Sequence, residues 1–275
     1  MLQNNNYITS DKILNYVKLL NNPKIKYIKT DFIKKRQHPY LIKMTNWRDF
    51  NEIIDLRNVN ILITGHSDYP IDQRELNILN LPNLKLWICQ NKNINHTKLL
   101  SIPIGITNYD EPNSEIHKII GNTNRLYNIS IESKNVLNLV YLNITSKNYP
   151  QERLKILSLY KNKNWVTYET PNQSNNGHEN FLRKIKHHKF IFAPRGNGID
   201  THRLWEALYL NTIPIVKKCI GMEDFYHLPI LFVDEWDNIT EEFLNKKYDE
   251  INSKKYDLNI ITIDYWNKLL KKINI

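Results

Sequence analysis

The stretch Lys189–Val216, KFIFAPRGNGIDTHRLWEALYLNTIPIV, decides the fold. Lys189–Ala193 is short and almost continuously apolar, as expected of a parallel strand covered on both faces. Pro194-Arg195-Gly196-Asn197-Gly198 breaks that run. Asp200 then reads as an N-cap, with Thr201 at the first helical position. Leu204, Ala207 and Leu208 recur at helical spacing and read as core. Ile213–Lys217 returns to an apolar strand. Strand, loop, helix and strand make a βαβ unit, whose two strands run parallel.

The same alternation extends along most of the chain. Ile25–Lys29, Asn60–Thr64, Lys85–Cys89, Leu137–Asn143, Asn164–Glu169 and Pro229–Val233 read as further strands. Ser10–Leu20, Ile71–Leu79, Gln151–Tyr160, Asn180–His187 and Thr240–Ile251 read as helices. The class is α/β with parallel sheets. Asn108–Lys134 is polar and has no clean period, so it is the expected boundary between two lobes. The expected division is residues 1–132 and 133–258. Ile261–Ile273, with Tyr265, Leu269 and Ile273 at helical spacing, reads as an amphipathic helix, and residues 259–275 are expected to pack back on the first lobe.

Composition narrows the function classes. At 275 residues and 41% hydrophobic content, the chain can bury a real core, which excludes disorder as its main state. No apolar run approaches a membrane span, and the first residues carry no basic and apolar pair of a secretory signal. A cytoplasmic location is the expectation. Two cysteines, Cys89 and Cys219, exclude a disulfide framework and read as buried core. The net charge of +10 points to anionic partners. Its lysines are scattered, however, and Asn, Ile and Lys abound while Ala occurs only twice, the pattern of AT-rich coding. The runs Lys34–Arg36, Lys184–Lys189 and Lys271–Lys272 are too short and separate for a nucleic-acid face, so no nucleic-acid partner is expected.

The chemistry concentrates where the quoted stretch turns into its helix. A loop holding Gly196, Asn197 and Gly198 and a helix starting at Thr201 present unpaired N–H groups and the positive end of the helix dipole. Arg195 and Arg203 add guanidinium groups, which grip phosphate in pairs of hydrogen bonds. Arg203 and His202 share a face with Glu206. A carboxylate one turn into the helix suits ribose hydroxyls, while the arginines suit phosphates. The plainer alternative is a surface Arg203–Glu206 pair with Asp200 as a simple cap. The run is neither a Walker A loop nor the G-x-G-x-x-G of dinucleotide folds.

PRGNGIDTHRLWEALYLNTIPIV (residues 194–216) closely resembles the signature of exostosin-like glycosyltransferases and their viral and bacterial relatives. Leu142–Thr145 with Glu152-Arg153, Phe181–His188, Pro229–Phe243 and the IPIGITN of Ile102–Asn108 are similar to further segments of that family. The resemblance implies a GT-B-type fold, in which two Rossmann-like lobes with parallel sheets face each other across a cleft. It implies transfer of a sugar from a nucleotide-diphosphate sugar, UDP-linked in expectation, to a hydroxyl on a glycan acceptor. Asn143, Thr145 and Ser146 would lie at the carboxyl end of a strand, where α/β folds bind ligands, and Arg153 would reach the diphosphate. Animal exostosins are membrane-anchored in the secretory pathway; a cytosolic chain of an AT-rich microbe or large DNA virus is the expected setting here.

No D-x-D is present, since Asp234–Asp237 reads D-x-x-D. Transfer without metal or other cofactor is therefore expected, with Arg195, Arg203 and the helix N-terminus stabilising the leaving diphosphate. His187-His188 lacks a third ligand for zinc, and no G-x-S-x-G occurs. Inversion needs a base on the other lobe, at a strand's carboxyl end. His66 and Asp68, in Ile61–Pro70 (ILITGHSDYP), fit as catalytic residues, either alone or with Asp68 orienting His66. Plain turn chemistry is the alternative for Ser67 and Asp68. A catalytically silent glycan- or nucleotide-binding module, and less so a basic nucleic-acid-binding protein, are the other readings.

Overall fold

The computed structural model describes residues 6–29, 32–38, 41–45, 51–110, 114–136 and 138–273; for 32–38, 41–45 and 51–54 only the backbone is described. Leu137, residues 111–113 of the expected boundary, residues 274–275 of the expected C-terminal segment and the side chains of Lys34–Arg36 lie outside the described residues.

The chain opens with α1 (Ser10–Leu20), whose N-cap Thr9 accepts from the Lys12 N–H. Strands β1 (Ile25–Lys29), β2 (Phe32–His38), β3 (Leu41–Thr45), β4 (Asn51–Asp55) and β5 (Ile61–Gly65) follow, then α2 (Leu76–Leu79), β6 (Leu86–Cys89) and β7 (Leu99–Ser101). Next come α3 (Glu115–Ile120), α4 (Thr123–Ile131), β8 (Asn138–Leu142), α5 (Pro150–Tyr160), β9 (Val166–Tyr168) and α6 (Asn175–Lys186). The last elements are β10 (His188–Phe192), α7 (His202–Tyr209), β11 (Ile213–Lys217), β12 (Leu231–Val233), α8 (Glu241–Asn252) and α9 (Ile263–Ile273).

Two sheets are parallel throughout. One runs β1-β5-β6-β7 and the other β12-β11-β10-β8-β9, while β2-β3-β4 is a separate antiparallel sheet. The eight expected parallel strands are all present; β7 and the antiparallel sheet are additions. The strands are apolar on both sides because both faces are covered. On the five-stranded sheet, Val140, Leu142, Phe190 and Phe192 pack with Ile156 and Tyr160 of α5 and Leu244 of α8. Tyr141 and Ile191 face the other way, onto Leu182 and Ile185 of α6 and Leu204 and Trp205 of α7. On the four-stranded sheet, Leu62, Trp87 and Cys89 pack with Ile78 and Leu79, while Ile61, Ile63 and Ile88 pack under α1 and α9.

Several expectations change. Ile71–Leu79 is not one helix: Gln73–Glu75 is a 3-10 turn with an Asp72–Glu75 capping box, and only Leu76–Leu79 is α-helical. Asn108–Lys134, the expected boundary with no clean period, carries two short helices, α3 and α4. The α9 face that meets the core is centred on Ile263, Trp266 and Leu270; of the expected row, Leu269 and Ile273 pack against that core half-buried, while Tyr265 is exposed.

In the five-stranded sheet the chain order along the sheet is second, first, third, fourth, fifth. Direction reverses between β8 and β10, and crevices at the carboxyl ends of such a switch point are where α/β sheets take ligands.

Candidate functional site

The switch point places the Asn143–Ser146 loop, after β8, beside the Pro194–Gly198 loop, after β10. Gly196 N–H donates to the Gly198 carbonyl at 3.1 Å, closing a tight turn. Arg153, buried on α5, ties the two loops together. Its Nε donates to the Arg195 carbonyl at 2.8 Å, Nη1 to the Thr145 carbonyl at 3.3 Å and Nη2 to the Pro194 carbonyl at 3.5 Å. Burial lowers its pKa. Arg153 is thus engaged with backbone carbonyls, behind the loops it was expected to reach past.

Arg195 and Arg203 are different. The Arg195 guanidinium lies 4.2 Å over the Tyr149 ring, and Nη2 donates to the Asn197 carbonyl at 3.4 Å. The Arg203 guanidinium sits 5.7 Å from the Phe181 ring centre. The Nε of each, and the Thr201 hydroxyl, are buried with no hydrogen-bond partner among the described residues. No ion pair within 4 Å joins Arg203 to a carboxylate among those residues, so the surface Arg203–Glu206 pair is not formed. Desolvation, followed by repulsion from Arg153, pushes Arg203 down to about 10. In the first turn of α7 the Leu204 N–H is taken by the Thr201 carbonyl at 3.1 Å, while those of His202 and Arg203 have no acceptor inside the helix. Arg203 and Thr201 thus bring buried donors to the start of α7, with the Arg195 Nε a further buried donor on the loop before it and Glu206 the carboxylate that acts on Arg203.

Asp200 is not the N-cap. Thr201 is, with no side-chain cap bond, because Asp200 turns inward. Its Oδ1 accepts from the Thr201 N–H at 2.7 Å and the Trp205 indole at 2.8 Å, and its Oδ2 from the Ile104 N–H at 2.8 Å. Burial raises its pKa to about 7 against those donors. His202 Nδ1 donates to the Gly105 carbonyl at 2.7 Å; burial lowers its pKa, and Glu206 and Asp68 are the nearby carboxylates opposing that. Gly105, at φ 67°, lies so close to the Ile8 carbonyl that no side chain fits. Glu206 is buried and meets His178 Nε2 at 3.5 Å. Asn143 is also buried, donating to the Tyr141 hydroxyl at 3.1 Å and the Glu169 carbonyl at 3.2 Å, while Thr145 Oγ1 accepts from the Lys147 N–H at 3.3 Å.

The four-stranded sheet reaches the same loop. Asp68 is exposed and makes no hydrogen bond or ion pair among the described residues; a Cβ on Gly198 would stand 2.8 Å from its Oδ1. His66 points elsewhere. It takes φ 62°, and its Nδ1 accepts from the Tyr27 hydroxyl at 2.8 Å while its Nε2 meets Asp11 Oδ1 at 2.7 Å. Asp11, not Asp68, is the carboxylate that orients His66, and the bond from His66 lowers the Asp11 pKa. The expected pairing of Asp68 with His66 is therefore not formed.

Asn91 was not singled out from the sequence, yet it joins the sheets. Its side-chain oxygen accepts from Ile199 N–H at 2.7 Å and Asp200 N–H at 2.9 Å, and its amide donates to the Ser67 carbonyl at 2.8 Å. Its position just past β6, at the carboxyl end of a parallel strand, was the available signal. Tyr149 and His178 offered none, since both lie in ordinary-looking helix entries. Among the described residues, no group of three or more His, Cys, Asp or Glu is placed to hold a metal ion, and no helix is long and apolar enough to cross a membrane. No protein-family model and no curated protein matches the chain.

Proposed function

We propose that the protein is a glycosyltransferase of GT-B type, which moves a sugar from a nucleoside-diphosphate sugar to a hydroxyl acceptor on a glycan. One observation carries this reading: Arg195, Arg203 and Thr201 bring buried, unpartnered donors to the α7 N-terminus, at the switch point of a parallel sheet. A diphosphate supplies the missing charge and acceptors. The resemblance of residues 194–216 to exostosin-like enzymes, and the approach of Asp68 from the other sheet, support the same reading.

In this reading the diphosphate lies against Arg195, Arg203 and the first-turn amides, with Arg153 holding the loop beneath. The ribose lies toward Glu206, and the sugar lies beside the contact that Asp68 makes with the Gly198 loop. Asp68 takes the acceptor's hydroxyl proton. The acceptor oxygen attacks the anomeric carbon, and the bond to the diphosphate breaks with its electron pair leaving on the phosphate. The anomeric carbon is inverted. Arg195 and Arg203 meet charge that grows on the leaving group, so they stabilise the transition state more than the ground state. His66, with both ring nitrogens engaged, holds the turn that carries Asp68.

Calorimetric titration with UDP, GDP, CDP and ADP, in EDTA and then with Mn²⁺, tests the binding. One nucleoside diphosphate binds in EDTA, and Arg203→Ala weakens it by about 10- to 100-fold, the value of a charge-assisted hydrogen bond. Asp68→Asn lowers turnover by about 10²- to 10⁴-fold while binding persists. Absence of binding by all four with metal supplied sinks the proposal. Binding without turnover in any acceptor screen favours a silent nucleotide-binding module instead.

A further inference from the structure

Glu206 is a buried carboxylate that has Arg203 and His202 near it on its own helix and a hydrogen-bonding neighbour from another. His178, on α6, faces it with Nε2 3.5 Å from Oε1, and both side chains are nearly inaccessible. The proton on that bond can be placed. Arg125 Nη1 lies 3.4 Å from His178 Nδ1, and a guanidinium can only donate. Nδ1 is therefore the acceptor, and the ring hydrogen sits on Nε2, aimed at Glu206. Arg125 is itself held, by the Ile119 carbonyl at 3.2 Å and by the Asn175 side chain. The His178 ring also stacks on Phe181, with centroids 6.0 Å apart, and Arg203 lies over that same Phe181. A fixed line of groups, Arg125 to His178 to Glu206, thus stands directly behind the anion-binding arginine.

We propose that His178 is a positioning residue, which orients Glu206 so that the site selects ribonucleotides over deoxyribonucleotides. This rests on the nucleotide reading above. Three residues separate Arg203 from Glu206, a rise of about 4.5 Å along the helix, which matches the step from a phosphate to its ribose. The bond from His178 occupies Oε1, and Oε2 has no partner among the described residues. A vicinal diol brings two O–H donors to that free edge. A sugar lacking them brings no donor to that oxygen, and sites built around a hydroxyl reject the analogue without it far more strongly than apolar pockets reject a missing methylene. The 3.5 Å contact is of the kind that shortens once ligand is bound.

The test is calorimetry on the full chain, comparing the tightest of UDP, GDP, CDP and ADP with its own 2′,3′-dideoxy counterpart. The ratio of the two dissociation constants is the readout. In the wild type the ribonucleotide binds about 30-fold or more tightly. His178→Phe keeps the stacking ring and removes the donor, and the ratio collapses to within about threefold. His178→Gln returns an N–H donor and restores most of the ratio. Should His178→Phe fail to fold, Arg125→Met frees Nδ1 to take the proton and lowers the ratio in the same direction. A wild-type ratio near one overturns the proposal. So does a His178→Phe variant that weakens both ligands equally, because that is what a merely structural histidine does. Failure of every nucleotide to bind the wild type removes the functional reading itself, a result distinct from equal binding of both sugars.

Discussion

Asp200 shows how far a single residue departs from its sequence signature. Asp before a helical run is a strong N-cap signal, but here the carboxylate swings into the interior and Thr201 takes the cap position. What sequence could not supply was the partner set: the Ile104 N–H, 96 positions away, and the Trp205 indole. The consequence is a pH dependence with a definite sign. The pKa rises from 3.8 to about 7 on folding because burial disfavours the charge. The native state then holds a proton more tightly than the unfolded chain, so stability falls as pH rises from about 4 to about 7. His202 and His188, both lowered by burial, act oppositely as pH falls below their ordinary range. The comparison that isolates Asp200 is with Asp200→Asn, which mimics the protonated acid. Urea unfolding at pH 5 and pH 8 should show wild type losing at least about 1 kcal/mol relative to the variant. An identical difference at both pH values refutes it.

At the scale of elements, legibility followed periodicity. Eight of the nine parallel strands and α1 were readable because apolar residues recur in runs or at helical spacing; β7, only three residues long, was not. The Asn108–Lys134 stretch was not, because α3 and α4 are short helices of 6 and 9 residues separated by Gly121-Asn122. No residue of α3 is fully buried and α4 buries only Leu126, Ile129 and Ser130, so no window long enough to show a period exists. The Phe32–Asp55 strands were missed for a different reason: FIKKRQH is dominated by Lys and Arg, which are poor strand signals. The consequence for α4 is measurable. Leu126 sits in the same core cluster as Leu204 and Trp205 of α7. Leu126→Ala should cost about 2–4 kcal/mol, whereas Ile131→Ala, at an exposed position on the same helix, should stay within about 0.5 kcal/mol. Equal costs, measured by denaturant titration, contradict the placement of α4 in the core.

For the whole molecule, two sheets that read as separate lobes are stitched at their ends. Tyr7, Ile104 and Ile106 belong to the cluster that holds α7, while Ile263, Trp266 and Leu270 of α9 belong to the cluster under β5 and β6. Each end of the chain therefore completes the core built by the other. Polar ties run in parallel. Tyr209 hydroxyl donates to the Ile261 carbonyl and accepts from the Ile8 N–H. Buried Lys92 donates to Asp224 at 2.8 Å, which also accepts from the Ser101 N–H at 2.8 Å. Asn91 binds the Ile199–Asp200 backbone. The Asn91 and Lys92 bonds lie just past the carboxyl ends of strands in both sheets, so the strand ends that carry Asp68 and Arg195 are held in register by links that join the halves. Independent halves would unfold separately. Linked ones should lose structure together, with tryptophan fluorescence and far-ultraviolet circular dichroism reporting coincident transitions. Trp266→Ala removes a fully buried side chain from under the four-stranded sheet and should lower stability by about 3–5 kcal/mol. The decisive readout is where that loss appears. Hydrogen exchange should accelerate in β8 and β10 of the other sheet as well as in β5 and β6, because opening one core exposes residues of the other. Loss confined to β5 and β6, with β8 and β10 still protected, would mean that the two sheets fold as separate units and that Asp68 is positioned by its own sheet alone.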